Sequence, residues 1–187
     1  MRQPHRDAAF TEYVAAKGPW LRKVAFLLCQ DWHRADDLVQ SSIIKLYVQW
    51  PHAERIENLD GYARRIVVNA FLSEQRSPWW RRVVLRREQT EPEGGFAWAA
   101  EPETSLDLAD ALAAIPPRQR ATIVLRYYCD LSVQETARAL SCSTGTVKSQ
   151  TARGLDALRR ALTPDAPTDA PADPARAGRD REGARLC

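Results

Sequence analysis

The chain has 187 residues, 27 Lys and Arg against 24 Asp and Glu, a formal charge of +3 and 44% apolar residues. That leaves room for one or two small domains with real cores, and too little net charge to argue for nucleic acid by itself. No stretch reaches the roughly 18 apolar residues of a membrane span, and MRQPHRDAAF lacks the apolar run of a signal peptide, so a cytoplasmic protein without membrane insertion is expected.

The four cysteines form no CxxC and stand at no ligand spacing to His5, His33 or His52. Cys29, Cys129 and Cys142 read as small apolar residues of a reducing compartment, not as a disulfide or zinc framework. No metal and no cofactor are expected.

Residues 8–29 read as helix, opened by Thr11 and broken at Gly18-Pro19. Phe10, Val14, Trp20, Val24, Leu27 and Leu28 are its core candidates, and Asp31-Trp32-His33 is a short connection. From Arg34 to Trp50 the periodicity is strong: Val39, Ile43, Leu46 and Trp50 make one apolar stripe. Asp36, Asp37, Gln40, Ser41 and Lys45 lie off it, and Pro51 stops the helix. The Asp36-Asp37 pair is favourable charge for a first helical turn and also a candidate contact. Asn58 or Asp60 opens a third helix from Gly61 to about Gln75. Tyr62, Ile66, Val67, Ala70 and Phe71 face inward there, with Arg64, Arg65, Asn69 and Arg76 outside.

The following Ser77-Pro78-Trp79-Trp80-Arg81-Arg82 mixes aromatics with arginines. It fits a surface for single-stranded nucleic acid, and equally tryptophans that simply dock on the core. Arg81, Arg82, Arg86 and Arg87 extend the basic crowd begun at Arg64, and acids gather from Glu88 to Glu103. Such segregation suggests a basic face that meets an anionic partner. Residues 83–103, with two prolines and Gly94-Gly95, read as a flexible linker.

Thr104 or Ser105 starts the next helix, with Leu108, Leu112 and Ile115 on its apolar side. Pro116-Pro117 ends it, and Pro117 begins another that runs to Tyr128, with Ile123, Val124 and Tyr127 available for packing. Two helices joined by a tight turn follow, over Leu131–Leu162. Ser132 with Glu135 makes a capping box, and Val133, Ala137 and Leu140 share a face. Small Ala137 allows close crossing by a second helix, which Ser143 caps and to which Val147, Leu155 and Leu158 lend an apolar side. Its other face carries Thr144, Lys148, Ser149, Gln150, Thr151 and Arg153, groups that bond base edges and phosphates. This is the spacing of a helix-turn-helix, whose second helix enters the major groove. Ser141 stands where such turns often have Gly; a left-handed backbone there costs a non-glycine residue about 1 kcal/mol. The remaining Pro-, Ala- and Asp-rich stretch to Cys187 reads as disordered.

The expectation is therefore an all-α protein of two small helical domains joined by a flexible linker, the C-terminal one carrying the helix-turn-helix. RADDLVQSSIIKLYVQW (34–50), GYARRIVVNAFLSEQRS (61–77) and LAAIPPRQRATIVLRYYCDLSVQETARALSCSTGTVKSQTARGLDALRRAL (112–162) occur in an order that resembles a bacterial RNA polymerase sigma factor. The likeness is to the sigma-70 class, and within it to the small extracytoplasmic-function group of SigE type that keeps only the second and fourth sigma regions. It implies a region 2 domain over 8–80, a linker over 81–104, a region 4 domain over 105–162 and a disordered tail over 163–187.

Roles for particular residues follow from the resemblance. Asp36, Asp37, Val39 and Gln40 would lie at or beside the contact with core RNA polymerase, made through its clamp coiled coil; the flap is the second polymerase element implied. Arg64, Arg65, Asn69 and Arg76 would meet the single-stranded −10 element. Thr144, Gly145, Lys148, Ser149, Ala152 and Arg153 would meet the −35 duplex, although Ala152 is smaller than the residue many relatives carry. Partners are then core polymerase and promoter DNA, duplex and single-stranded. The family also admits an anti-sigma factor, which no residue here identifies.

The division of labour has a physical basis. Opening a promoter costs about 1–2 kcal/mol per base-pair step, and stacking a base on an aromatic returns about 1–3 kcal/mol. A protein with no ATPase site can offset melting only by binding the exposed strand better than the duplex. A stand-alone helix-turn-helix regulator is the alternative, and it leaves residues 34–77 unexplained. An enzyme such as a nuclease is not expected, because Asp36-Asp37 has no carboxylate or histidine partners to converge on a metal.

Overall fold

A computed structural model of the chain describes the backbone of residues 3–53, 55–76 and 106–163, and the side chains of residues 7–53, 55–76 and 108–163. The expected linker and the Trp79-Trp80 cluster lie outside the described residues, as does all of the tail beyond Thr163. Every regular element described is helical.

The first unit is three helices: α1 (Gln3–Cys29), α2 (Trp32–Ala53) and α3 (Leu59–Arg76). Contrary to the expected break, α1 runs through Gly18-Pro19 without interruption. Proline removes one helical N–H and crowds the preceding turn. The following turns bury Leu21, Val24, Ala25 and Leu28 against α2 and α3, and that packing holds the register. Thr11 does not open the helix either: it sits inside it, and its hydroxyl donates to the Asp7 carbonyl at 2.8 Å.

At the start of α2 the Asp31 carboxylate accepts the Arg34 N–H at 3.1 Å. The helix consequently begins at Trp32, which places Asp36 and Asp37 beyond its first turn, where no acidic residue lies. It also continues past Pro51, because Trp50 and Ala53, 3% and 0% exposed, anchor the last turn in the core. Asn58 opens α3, its Oδ1 accepting the Gly61 N–H at 2.7 Å. Val67, Val68 and Phe71 are fully buried beneath Leu28, Leu38 and Leu46. Trp50 sits among Phe10 and Tyr13, with ring centroids 5.1 and 5.6 Å away. Lys17 pairs with Asp60 at 2.6 Å and Tyr13 Oη donates to the same carboxylate, which ties α1 to the start of α3.

The second unit comprises α4 (Leu106–Ala113), α5 (Pro117–Ile123), a wider π turn over Val124–Tyr128, α6 (Val133–Leu140) and α7 (Thr144–Leu162). Pro117 opens α5 as its sequence position predicts. The π turn rotates its last residues outward: Val124 is buried but Tyr127 is 57% exposed, so Tyr127 does not pack as expected. Gly154 lets α7 cross α5 closely, since a Cβ there would come within 2.7 Å of Ile123 Cδ1.

The two units are in contact. Ala121, Val124, Leu125 and Leu131 belong to the same buried cluster as Leu28, Val67 and Phe71. Arg120 crosses the joint. Only 9% exposed, it donates to the Leu28 carbonyl at 2.9 Å and to the Ala113 and Ile115 carbonyls at 3.4 and 3.2 Å.

Candidate nucleic-acid interface

The α6–α7 hairpin is built by local bonds. Ser132 Oγ accepts the Glu135 N–H at 3.2 Å, and Glu135 Oε2 accepts the Ser132 N–H at 2.8 Å, closing the capping box. Those bonds hold the Glu135 carboxyl below its ordinary value. The turn passes through Ser141 at φ 51°, ψ 52°, the left-handed conformation foreseen for a residue that is not glycine. Its N–H and that of Cys142 still find the carbonyls of Arg138 and Ala137. Ser143 Oγ accepts the Thr146 N–H at 3.1 Å and starts α7.

Val147, fully buried, and Ala137 fasten α7 across α6. Thr144, Gly145, Lys148, Ser149, Ala152 and Arg153 then all stand exposed, in pairs one turn apart, along one face of α7. Gln150 and Thr151 are half-buried, and the Thr151 hydroxyl donates to the Val147 carbonyl at 2.8 Å, so its donor serves the helix.

On α3 the residues Arg65, Asn69, Ser73 and Arg76 are exposed at steps of four, four and three, again a single stripe. Arg64 departs from the expectation that it lies outside. It is half-buried, its guanidinium 5.7 Å from the Trp20 ring, and its charge acts on the Cys129 thiol of the second unit. Burial pushes that thiol up to about 11, against the opposing pull of Arg64. Arg65 Nη2 also reaches the second unit, at 3.4 Å from Ser141 Oγ.

On α2 the expected residues separate. Asp36 is held by Arg22, whose Nε and Nη2 donate to its two oxygens at 2.6 and 3.2 Å. Arg22 in turn lies 4.4 Å over Trp32, which stacks on Phe26 at 4.0 Å. Val39 is 3% exposed and belongs to the core, so it lies beneath this face and not on it. Asp37 and Gln40 are exposed. They continue into Ile44 and Val48, 63% and 66% exposed, which no sequence argument had singled out. The signal was present: Ile44 and Val48, four apart, fall off the Val39-Ile43-Leu46-Trp50 stripe, so α2 is apolar on two faces.

Among the described residues no three His, Cys, Asp or Glu side chains gather as metal ligands, and no helix is long and apolar enough to cross a membrane. Cys29 is buried, and desolvation pushes its thiol up to about 12.

A three-helix unit with a basic stripe, followed by a unit that ends in a capped helix-turn-helix, defines a class. The pattern of sigma-70 region 2 matches residues 13–81, and that of sigma-70, region 4 matches residues 105–158. The chain belongs to the sigma-70 family of RNA polymerase sigma factors, which are DNA-binding factors of transcription initiation. Within the family its relatives are of the extracytoplasmic-function kind. The RNA polymerase sigma-E factor of Streptomyces coelicolor is 36% identical over 156 residues, 82% of this chain and 85% of that one. The sigma factor SigL of Mycobacterium tuberculosis is 32% identical, over 83% of this chain and 87% of its own. Among solved structures, the sigma factor RpoE of Bartonella quintana, determined in complex with the anti-sigma factor NepR, superposes with a TM-score of 0.63. It is 28% identical and covers 84% of this chain and 99% of its own. CnrH in complex with the cytosolic domain of CnrY, at 20% identity and a TM-score of 0.58, shares the fold.

Proposed function

We propose that this chain is an alternative sigma factor that docks on core RNA polymerase, reads a −35 duplex with α7 and captures the melted −10 strand with α3. The observation that carries the reading is the α7 face: six residues expected at the duplex are all exposed on one side of a helix whose other side is clamped by Val147. Lys148 and Arg153 supply cations for phosphates or guanine edges, and Ser149 and Thr144 supply hydroxyls. Thr144 and Gly145 sit at the helix N-terminus, where backbone N–H groups favour a phosphate.

Arg65, Asn69 and Arg76 form the second reader. Arginine holds the backbone of a single strand, and Asn69, with both donor and acceptor, suits the edge of a flipped base. The polymerase clamp is met by the exposed stripe of α2, where Asp37 and Gln40 give polar contacts and Ile44 and Val48 give apolar area. Asp36 contributes by fixing Arg22 and the helix start, not by touching the partner. The domains are those the resemblance implies, region 2 over 8–80 and region 4 over 105–162. Two modest DNA contacts on one chain gain affinity through effective concentration. The protein acts in the cytoplasm, where the polymerase is, and an anti-sigma partner remains open to discovery by co-purification.

The test is transcription in vitro with purified core polymerase over a genomic library, with start sites mapped. Start sites sharing one −35 and one −10 sequence are expected. A chain that binds duplex DNA alone and never joins core polymerase would instead be a stand-alone regulator.

A further inference from the structure

We propose that Ser149 and Ala152 together select an adenine–thymine pair in the −35 duplex: Ser149 accepts a hydrogen bond from the adenine amino group, and Ala152 packs on the thymine methyl. The inference deepens the reading of α7 as the duplex reader and rests on it.

The hydroxyl protons along α7 decide what the helix has left to offer. A serine hydroxyl has one proton and two lone pairs. Ser149 Oγ donates its proton to the Thr146 carbonyl at 3.0 Å, one turn back in the same helix. Thr151 spends its proton in the same way on Val147, but Thr151 is half-buried whereas Ser149 is exposed. Ser149 therefore meets a partner with lone pairs alone. Lys148 and Arg153, on the same exposed face, are the converse: they carry donors and no acceptor.

In the major groove the only base donors are the amino groups of adenine and cytosine, while guanine and thymine present acceptors. Ser149 could serve guanine or thymine only by turning its proton away from Thr146, which gives up a bond already made. The committed proton thus narrows the choice to two bases.

Ala152 narrows it to one. It is exposed three residues on from Ser149, and side chains at that spacing have Cβ atoms about 5–6 Å apart on one helix face. Its methyl has no polar atom to satisfy and suits the thymine methyl, a group that an adenine–thymine pair carries and a cytosine–guanine pair lacks. So short a side chain touches a base only if α7 lies close to the groove. Gly145, on the same face, allows that approach. A Cβ there would meet nothing nearer than Ser143 Oγ at 3.8 Å, so packing within the chain does not call for glycine. The presentation is also fixed in rotation: Val147 is fully buried against α6, and a Cβ on Gly154 would come within 2.7 Å of Ile123 Cδ1.

The experiment uses the holoenzyme, this chain with core polymerase, and a fluorescein-labelled duplex carrying the −35 sequence shared by the mapped start sites. Competitor duplexes alter one adenine–thymine pair at a time. 2-Aminopurine for adenine removes the major-groove amino group and keeps the pairing; uracil for thymine removes only the methyl. At one pair, 2-aminopurine should weaken binding about two- to tenfold, the loss of a net hydrogen bond. Uracil at that pair, or at its neighbour, should weaken it about two- to fourfold, the loss of one buried methyl. Ser149→Ala should erase the first effect and keep the second, and Ala152→Gly should do the reverse. Each variant is compared with itself on paired duplexes, so a change in helix stability cancels. Binding indifferent to both analogues at every pair overturns the proposal, as does a Ser149→Ala variant that still responds to 2-aminopurine or an Ala152→Gly variant that still responds to uracil. A wild-type holoenzyme that binds the −35 duplex no better than a scrambled one overturns the reading of α7 itself, and the proposal with it.

Discussion

The two helices expected to touch DNA are set very differently. On α7 the six residues expected at the −35 duplex are all exposed, and the helix is held by capping bonds and by apolar residues on its far side. On α3 one candidate, Arg64, is half-buried with its charge acting on Cys129, and another, Arg65, lies with Nη2 3.4 Å from Ser141 Oγ of the other unit. The difference fits the two proposed substrates. Duplex DNA is present before anything happens, so its reader can stand ready. A single strand exists only after melting, and a cationic surface left open would collect any nucleic acid without regard to sequence.

The sharpest way to break the contrast is at α7. Lys148→Ala with Arg153→Ala should cost about 2–6 kcal/mol of binding to a −35 duplex, taking about 1–3 kcal/mol per contact. A filter-binding or anisotropy titration of the holoenzyme measures it, and assembly with core polymerase should be unchanged; lost assembly would contradict the separation of surfaces. Next in size, Ile44→Asp with Val48→Asp should weaken assembly with core enzyme by about 2–4 kcal/mol, since fully burying each apolar side chain is worth about 1.5–3 kcal/mol and about two thirds of each is still exposed in the free chain. Both residues are exposed in the free chain, so its melting temperature should hardly move; gel filtration with core polymerase reads the first and calorimetry the second.

Arg65→Ala is expected to be milder, about 1–2 kcal/mol in promoter opening, the loss of one charge-assisted bond to the strand. Permanganate footprinting of the melted region checks it, and −35 duplex affinity should stay constant. If that affinity falls as well, α3 and α7 are not independent readers.

The smallest effect concerns the capping box. Glu135 has its carboxyl held below the ordinary value of 4.5 by its bonds with Ser132. A lowered folded-state value means the contribution is present above the unfolded value and is lost as pH falls through the folded one. The small melting-temperature advantage over Glu135→Gln should therefore persist at neutral pH and fade below about pH 4.5. An advantage that grew in acid would refute the sign.

What could be read directly from residues was the local chemistry. The Ser132–Glu135 box, the Ser143 cap, Pro117 at a helix start and the left-handed Ser141 are short-range patterns, and each forms as its spacing implies. The misreadings have one origin. Pro19 and Pro51 predict helix stops, yet burial of neighbouring residues outweighs a missing N–H. Ile44 and Val48 are not legible as a surface because a periodic pattern shows that a helix has an apolar face, not which of two faces meets the core. The burial of Arg120 is not legible in the sequence because an arginine in a helix is by default a surface residue.

By itself the sequence determined the caps and turns of the second unit and the family, because caps, turns and periodicity act within a few residues. Only the tertiary structure decided that Val39 is core, that Asp36 belongs to Arg22, and that Arg64, Arg65 and Arg120 lie at a joint between units. Those outcomes depend on contacts between residues far apart in the chain, where the burial of a charge and the partner it finds are settled by packing and leave no mark on local spacing.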